Sequence, residues 1–296
     1  MTAYHRILLG VGSVLTGLWV VLAAYAPLLA PFDPNDVLVP LQQPGAALPV
    51  GGTVWFGTDL LGRDIFSRAI WAARASFGLI GGAIVVAYVI GLPIAFAATA
   101  RSRILALPAR GIAAVFRGVP VFIGYLVLIF IFGLGSFAFV VAFAFASLPS
   151  LVDLVAALRR ALAREGSERP GGGRIAALFA TDALKRLVFW AAIAAGIGSF
   201  GLSPFLPPAP TFGGMFFESR SMALSFPHTV LAPIGVLIAL LLGASLLAAG
   251  LEARLPASLR SADPAWPSYR PGNFAGAKGA APTPSADSDP TRETRE

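Results

Sequence analysis

The chain has 296 residues, of which 56% are apolar and only 12% charged, with a mean hydropathy of +0.77. A soluble domain carries about a quarter charged residues, so this composition excludes a water-covered globule and points to a chain that lives in a bilayer. The absence of cysteine excludes a disulfide framework and thiolate metal sites or nucleophiles, and two histidines, His5 and His228, are too few for a histidine-rich metal centre.

In chain order, residues 1–6 form a short N-terminus. A first apolar run covers 7–30, long enough to cross a hydrocarbon core that needs roughly 20 helical residues. It exceeds a signal-peptide h-region, and Pro27, Pro31 and Asp33 follow it without a small-x-small cleavage site. Further spans are expected at 76–100, 112–132, 136–158, 187–206 and 229–251. The fifth is the weakest because Pro204 and glycines interrupt it. The expected fold is therefore an all-α polytopic membrane protein of about six transmembrane helices, with a permease-like domain over 7–256.

Between the first two spans, 31–75 forms a proline-rich loop that becomes helical near Asp64. Ile65, Ala69, Ile70 and Ala73 fall on one face there, as expected of a short amphipathic helix at the membrane interface. A second loop on the same side covers 207–228. The opposite side holds a basic segment, 159–186, and a tail, 257–296, whose Pro, Ala, Ser, Asp and Gly content predicts disorder.

Basic residues set the orientation. The outer segments hold only Arg63, Arg68, Arg74 and Arg220; Arg117 falls in the third span, and the rest of the 22 lysines and arginines lie in inner segments. Both termini are then cytoplasmic. The same distribution accounts for the net charge of +7 without nucleic acid, because no basic stripe interleaves with aromatics on a polar face.

Two blocks stand out. The first is Phe56-Gly57-Thr58-Asp59-Leu60-Leu61-Gly62-Arg63-Asp64-Ile65-Phe66-Ser67-Arg68, continued by Arg74-Ala75-Ser76-Phe77-Gly78. The second is Phe200-Gly201-Leu202 with Pro207-Pro208-Ala209-Pro210-Thr211-Phe212-Gly213-Gly214-Met215, followed by Glu218, Arg220 and Pro227. Taken as residues alone, Asp59 and Asp64 can cap helix starts, Arg63 can pair with either, and Gly57 and Gly62 permit tight turns. A folded brace and a substrate contact are both open for the first block, as are a static lid and a gate for the second.

The first block resembles the G-T-D-x-x-G-R-D-x-x-S-R segment of permeases from dipeptide, oligopeptide and nickel ATP-binding-cassette importers, in particular the second, shorter permease of each pair. The second block is similar to that family's F-L-G-L-G and P-P-x-P-x-W-G-x-M. The resemblance covers roughly residues 7–256 and implies a type I importer permease in a bacterial inner membrane. It implies a second permease, two cassette ATPases and an extracytoplasmic solute-binding protein as partners, with peptides or similar small solutes as cargo and no cofactor. Its family-pattern residues are Gly57, Thr58, Asp59, Gly62, Arg63, Asp64, Ser67 and Arg68, with Pro207, Pro208, Pro210 and Gly213 as an outer lid.

The family's inner loop carries a coupling helix, E-A-A followed by Gly, that docks on the ATPase. Here only fragments stand in that region: Ala156, Ala157, Arg159, Arg160, Glu165 and Gly166 are the candidate coupling residues, and Pro170-Gly171-Gly172-Gly173 follows. Two readings stay open: an importer permease with a rebuilt ATPase contact, or a degenerate permease serving as an accessory membrane subunit. An enzyme is not expected, since the chain lacks G-x-x-x-x-G-K-[ST], H-E-x-x-H and G-x-S-x-G.

Overall fold

The computed structural model describes residues 3–49, 51–163, 170–205, 209–256 and Leu259. Among these, helix α1 runs Ala3–Ala24, and a four-residue helix α2, Ala26–Leu29, follows with Pro27 in its first turn. A two-stranded ribbon, β1 (Ala46–Ala47) against β2 (Thr53–Val54), interrupts the outer loop. The remaining helices are α3 (Ile65–Ala98), α4 (Arg103–Gly118), α5 (Val121–Phe132), α6 (Ser136–Leu162), α7 (Gly172–Gly198), α8 (Phe212–Ser219) and α9 (His228–Glu252).

Four helices are long and apolar enough to cross a membrane: α1 from Tyr4, α3, α6 and α9. The pair α4 and α5, bent by 98°, meets the same test only when taken together, as a broken span or a re-entrant loop. Helix α7 matches α6 in length, but Asp182, Lys185 and Arg186 interrupt its apolar run. Many apolar side chains face outward, among them Phe130 at 92% exposure and Val89 at 68%. On a water-soluble protein such a surface is a liability, whereas in lipid it is the ordinary solvent-facing side.

Several helix bounds differ from the sequence-based expectation. The interfacial helix and the second span are one unbroken element, α3, because no Gly or Pro separates Ala73 from Ser76. The third span begins as α4 and turns sharply before Pro120; a residue preceding proline is pushed out of the helical region, and Val119 is extended at φ −92°, ψ 116°. The fifth span, expected at 187–206, begins far earlier, at Gly172, and ends at Gly198. The glycine run does not break a helix but starts one, with Gly171 as the N-cap. Residues 172–186 therefore belong to a helix instead of the expected inner loop, which leaves 163–171 as the connection. Of the tail expected to be disordered, only Leu259 is described, and it is buried with Leu255 in an apolar cluster with Leu154, Leu158 and Leu178.

Helices α1 and α9 run antiparallel and in near-contact. A Cβ at Gly12 would collide with the backbone of Leu247, and one at Gly243 would lie 2.8 Å from Leu15 Cβ. Small residues that let backbones approach are the usual means of packing helices in lipid. In the same way Gly91 of α3 receives Leu151 of α6. The central core is aromatic: Phe143 and Trp190 have ring centroids 4.3 Å apart, with Phe139 packed on both. These contacts tie α6 to α7.

Candidate functional site

The first outer block folds as a tight loop feeding α3. Gly57 and Gly62 both have positive φ, 78° and 84°, conformations in which a Cβ is penalised. Between them, Asp59 N–H donates to Arg63 O and Gly62 N–H to Asp59 O. The turn-containing segment 38–42 closes over this turn: Leu38 N–H donates to Gly62 O, and Leu41 N–H to Asp59 O. Thr58, fully buried, donates its hydroxyl to Val39 O at 2.5 Å and accepts from Gln42 N at 2.8 Å.

Charge is concentrated just below. Asp59 Oδ1 accepts from the backbone N–H groups of Leu61 and Arg63, both at 2.9 Å, while Oδ2 takes Arg63 Nε at 2.7 Å. Arg63 Nη2 reaches Glu218 at 2.5 Å, and Arg68 Nη2 reaches the same carboxylate oxygen at 2.9 Å. Arg68 also approaches Asp59 at 3.7 Å and donates to Pro34 O at 3.3 Å. Both guanidiniums are almost wholly buried, at 6% and 1% exposure. Asp64 caps α3 by accepting from Ser67 N at 2.8 Å, and Ser67 Oγ accepts from Phe32 N at 3.1 Å. Burial pushes the Asp64 carboxyl above its ordinary value, against the opposing pull of the hydrogen bonds from Ser67 and Phe66.

The structure thus brings Gly57, Thr58, Asp59, Gly62, Arg63, Asp64, Ser67 and Arg68 into one knot. It ties that knot to the second block through Glu218, 155 residues on from Arg63. Sequence reasoning placed Glu218 in the block without giving it this partner. The signal was available: Glu218 is the one acidic residue between Asp182 and Glu252, while the first block carries arginines in excess of what its own acids hold. The second block is itself pinned. Thr211 caps α8 by accepting from Gly214 N at 3.0 Å, and Gly213 packs so closely on α7 that a Cβ would lie 2.6 Å from Gly198 Cα. Pro210 is buried; Pro207 and Pro208 lie outside the described residues.

The opposite end of the bundle is built differently. The ends of α3, α4 and α6 enclose a cavity of about 560 Å³, lined in part by Arg110, Arg117, Asp153, Ala156, Arg159 and Arg160. Arg110 Nε donates to Ala98 O at 2.7 Å, and Arg159 donates to Thr99 O and Phe96 O, both at 3.2 Å. These arginines cap the last carbonyls of α3, where a cation also suits the helix dipole. Arg117 pairs with Asp153 at 3.1 Å, with both side chains more than half exposed. Of the candidate coupling residues, Ala157 is buried, whereas Arg159 and Arg160 are exposed. Glu165 and Gly166 lie outside the described residues.

A third constellation was missed in the sequence because 172–186 read as a loop. Within α7, Arg186 Nε donates to Asp182 at 2.7 Å, and Tyr88 of α3 donates its hydroxyl to the same Asp182 oxygen at 2.6 Å. Asp182 and Arg186 are both 3% exposed. Their charges enter the bundle only as a pair, which is how ionisable groups are tolerated at membrane depth. Beside them Lys185 meets Glu252 of α9 at 3.0 Å. Among the described residues no group of three His, Cys, Asp or Glu side chains is placed to hold a metal ion.

No protein-family model matches the chain. Individual proteins do. A putative peptide permease protein of Brucella suis is 29% identical over 243 residues, covering 76% of this chain and 79% of the relative. A di/tripeptide transport system permease protein of Pseudomonas aeruginosa is 28% identical over 270 residues, covering 85% and 88%. A probable peptide permease of Sinorhizobium fredii is 48% identical over a shorter stretch of 54 residues. Over most of its length, and in a helical architecture whose two outer blocks are bound to each other, the chain is thus similar to permease proteins of peptide transport systems.

Proposed function

We propose that this permease subunit carries small peptides inward across a bacterial inner membrane, together with a second permease, two cassette ATPases and an extracytoplasmic binding protein. The observation that carries the reading is the Arg63–Glu218–Arg68 junction. It joins the two blocks by which the chain resembles the family, which supports a braced outer rim. The names of the relatives, all transport permeases, favour this reading over an accessory membrane subunit. In it, the chain hydrolyses no ATP itself; the ATPases do so.

The proposal places both termini and the 163–171 connection on the cytoplasmic side, following the lysine and arginine distribution. The outer knot acts as a brace for α3 and α8, since its polar atoms, Asp64 Oδ1 excepted, are hydrogen-bonded within the protein and leave little to grip cargo. ATPase motion enters at the end of α6, where Arg159, Arg160 and the connection stand.

Mild-detergent purification with mass spectrometry of the copurifying proteins, followed by uptake of a labelled dipeptide into proteoliposomes, tests the reading. ATP-dependent uptake with a second permease and two ATPases present is the expected result. Recovery with unrelated membrane proteins and no ATPase would sink it.

A further inference from the structure

The inner cavity carries more positive charge than its own side chains balance. Four arginines line it against one carboxylate, Asp153, and that carboxylate is already engaged by Arg117. Backbone carbonyls at the end of α3 hold Arg110 and Arg159 in place. A guanidinium has five N–H donors in a rigid fork, so the one carbonyl on Arg110 leaves donors for an anion.

The position narrows the anion. If α5 runs along the membrane normal, the 98° bend lays α4 nearly along the membrane surface. Helix α4 buries its small side chains, Ala106, Ala109 and Ala113, against the bundle, and exposes Ile104 at 85% and Leu107 at 64%. Arginines beside exposed aliphatic side chains match a phosphate with acyl chains attached. Basic pockets between transmembrane helices take anionic headgroups on these grounds, and Arg forks match phosphate geometry with two parallel donors.

We propose that this cavity seats the phosphate headgroup of an anionic phospholipid, held by Arg110 and Arg160 with Arg159 behind them, and with its chains along the exposed side of α4. The lipid fills the gap between the ends of α3, α4 and α6 and neutralises their arginines. Arg159 and Arg160 also stand at the proposed ATPase contact, but lipid retention by the purified chain is read without cargo or ATPase.

Native mass spectrometry of the full chain, equilibrated with equal amounts of isotopically distinguishable phosphatidylglycerol and phosphatidylcholine, tests it. Wild type is expected to retain phosphatidylglycerol in preference, and the Arg110→Gln/Arg160→Gln variant to lose that preference by about tenfold. The Arg6→Gln/Arg254→Gln variant, with the same loss of charge elsewhere, should keep it. Equal retention of the two lipids by wild type overturns the proposal without recourse to any variant, as does equal loss in both variants. Inorganic phosphate in excess should not displace the lipid. Displacement by phosphate would mean a free-anion site, and displacement by an acidic peptide a protein-docking site; either outcome overturns the lipid assignment.

Discussion

The two ends of the bundle handle arginine in opposite ways. At the outer end, Arg63 and Arg68 are sealed from solvent and matched to Asp59 and Glu218 at hydrogen-bond distance. At the inner end, Arg110, Arg159 and Arg160 are exposed, rest on helix-end carbonyls and border an open cavity. A buried ion network is intolerant of change, since removing one member strands its partner in low dielectric. Exposed arginines on helix ends cost little to rearrange. On the proposed function, this asymmetry suits a subunit whose outer rim stays fixed while its inner end follows the ATPase.

The largest effect is expected at Asp59. Asp59→Asn leaves Arg63 and Arg68 sharing Glu218 alone and should cost about 3–5 kcal/mol, read as a lowered midpoint in denaturant unfolding of the detergent-solubilised protein. A cost under 1 kcal/mol there would erase the contrast. At Asp64 the expected effects are smaller. Asp64→Ala removes the cap of α3 and should cost about 0.5–2 kcal/mol, while Asp64→Asn keeps a capping oxygen and should cost less.

Asp64 also gives the contrast a pH signature. Its carboxyl titrates above the ordinary 3.8 in the folded protein, so the folded state binds the proton more tightly than the unfolded state. Its stabilising contribution is complete below 3.8 and is lost as pH rises through the folded value. The stability of wild type relative to Asp64→Asn should therefore fall over that window; a rise would show the sign to be wrong.

Gly62→Ala should cost about 1–2 kcal/mol, because φ is +84° there. Smallest of all, Asp153→Asn breaks an inner pair that is more than half exposed and should change stability by less than about 1 kcal/mol. A cost matching that of Asp59→Asn would mean that the inner end is as rigid as the outer.

Hydropathy alone made the helical membrane class legible, because a run such as 229–251 has no other stable home. The outer knot was half legible. The glycine turns, the Asp64 cap and an arginine–carboxylate pair all followed from residue types within one short block. The Glu218 contact did not, since pairing across 155 residues depends on how α8 folds back, and no local periodicity encodes that. Lys185, Arg186 and Asp182 misled for a physical reason: charges ordinarily mark a loop between spans, and only the fold shows that Asp182, Arg186 and Tyr88 satisfy one another inside the bundle. The glycine run misled likewise, because glycine more often ends a helix than begins one, and Gly171 begins one.

The chain contains no cysteine, so single introduced thiols report one position each. The central claim is that ATPase motion enters at the inner end, past a fixed outer rim. Ala163→Cys, on the exposed residue just after α6, and Trp55→Cys, on the exposed outer loop, should be compared by short thiol–amine cross-linking in the purified complex. The account predicts a cross-link from position 163 to a cassette ATPase, and none to an ATPase from position 55. An ATPase cross-link from position 55, or none from position 163 in a complex that hydrolyses ATP, would contradict it.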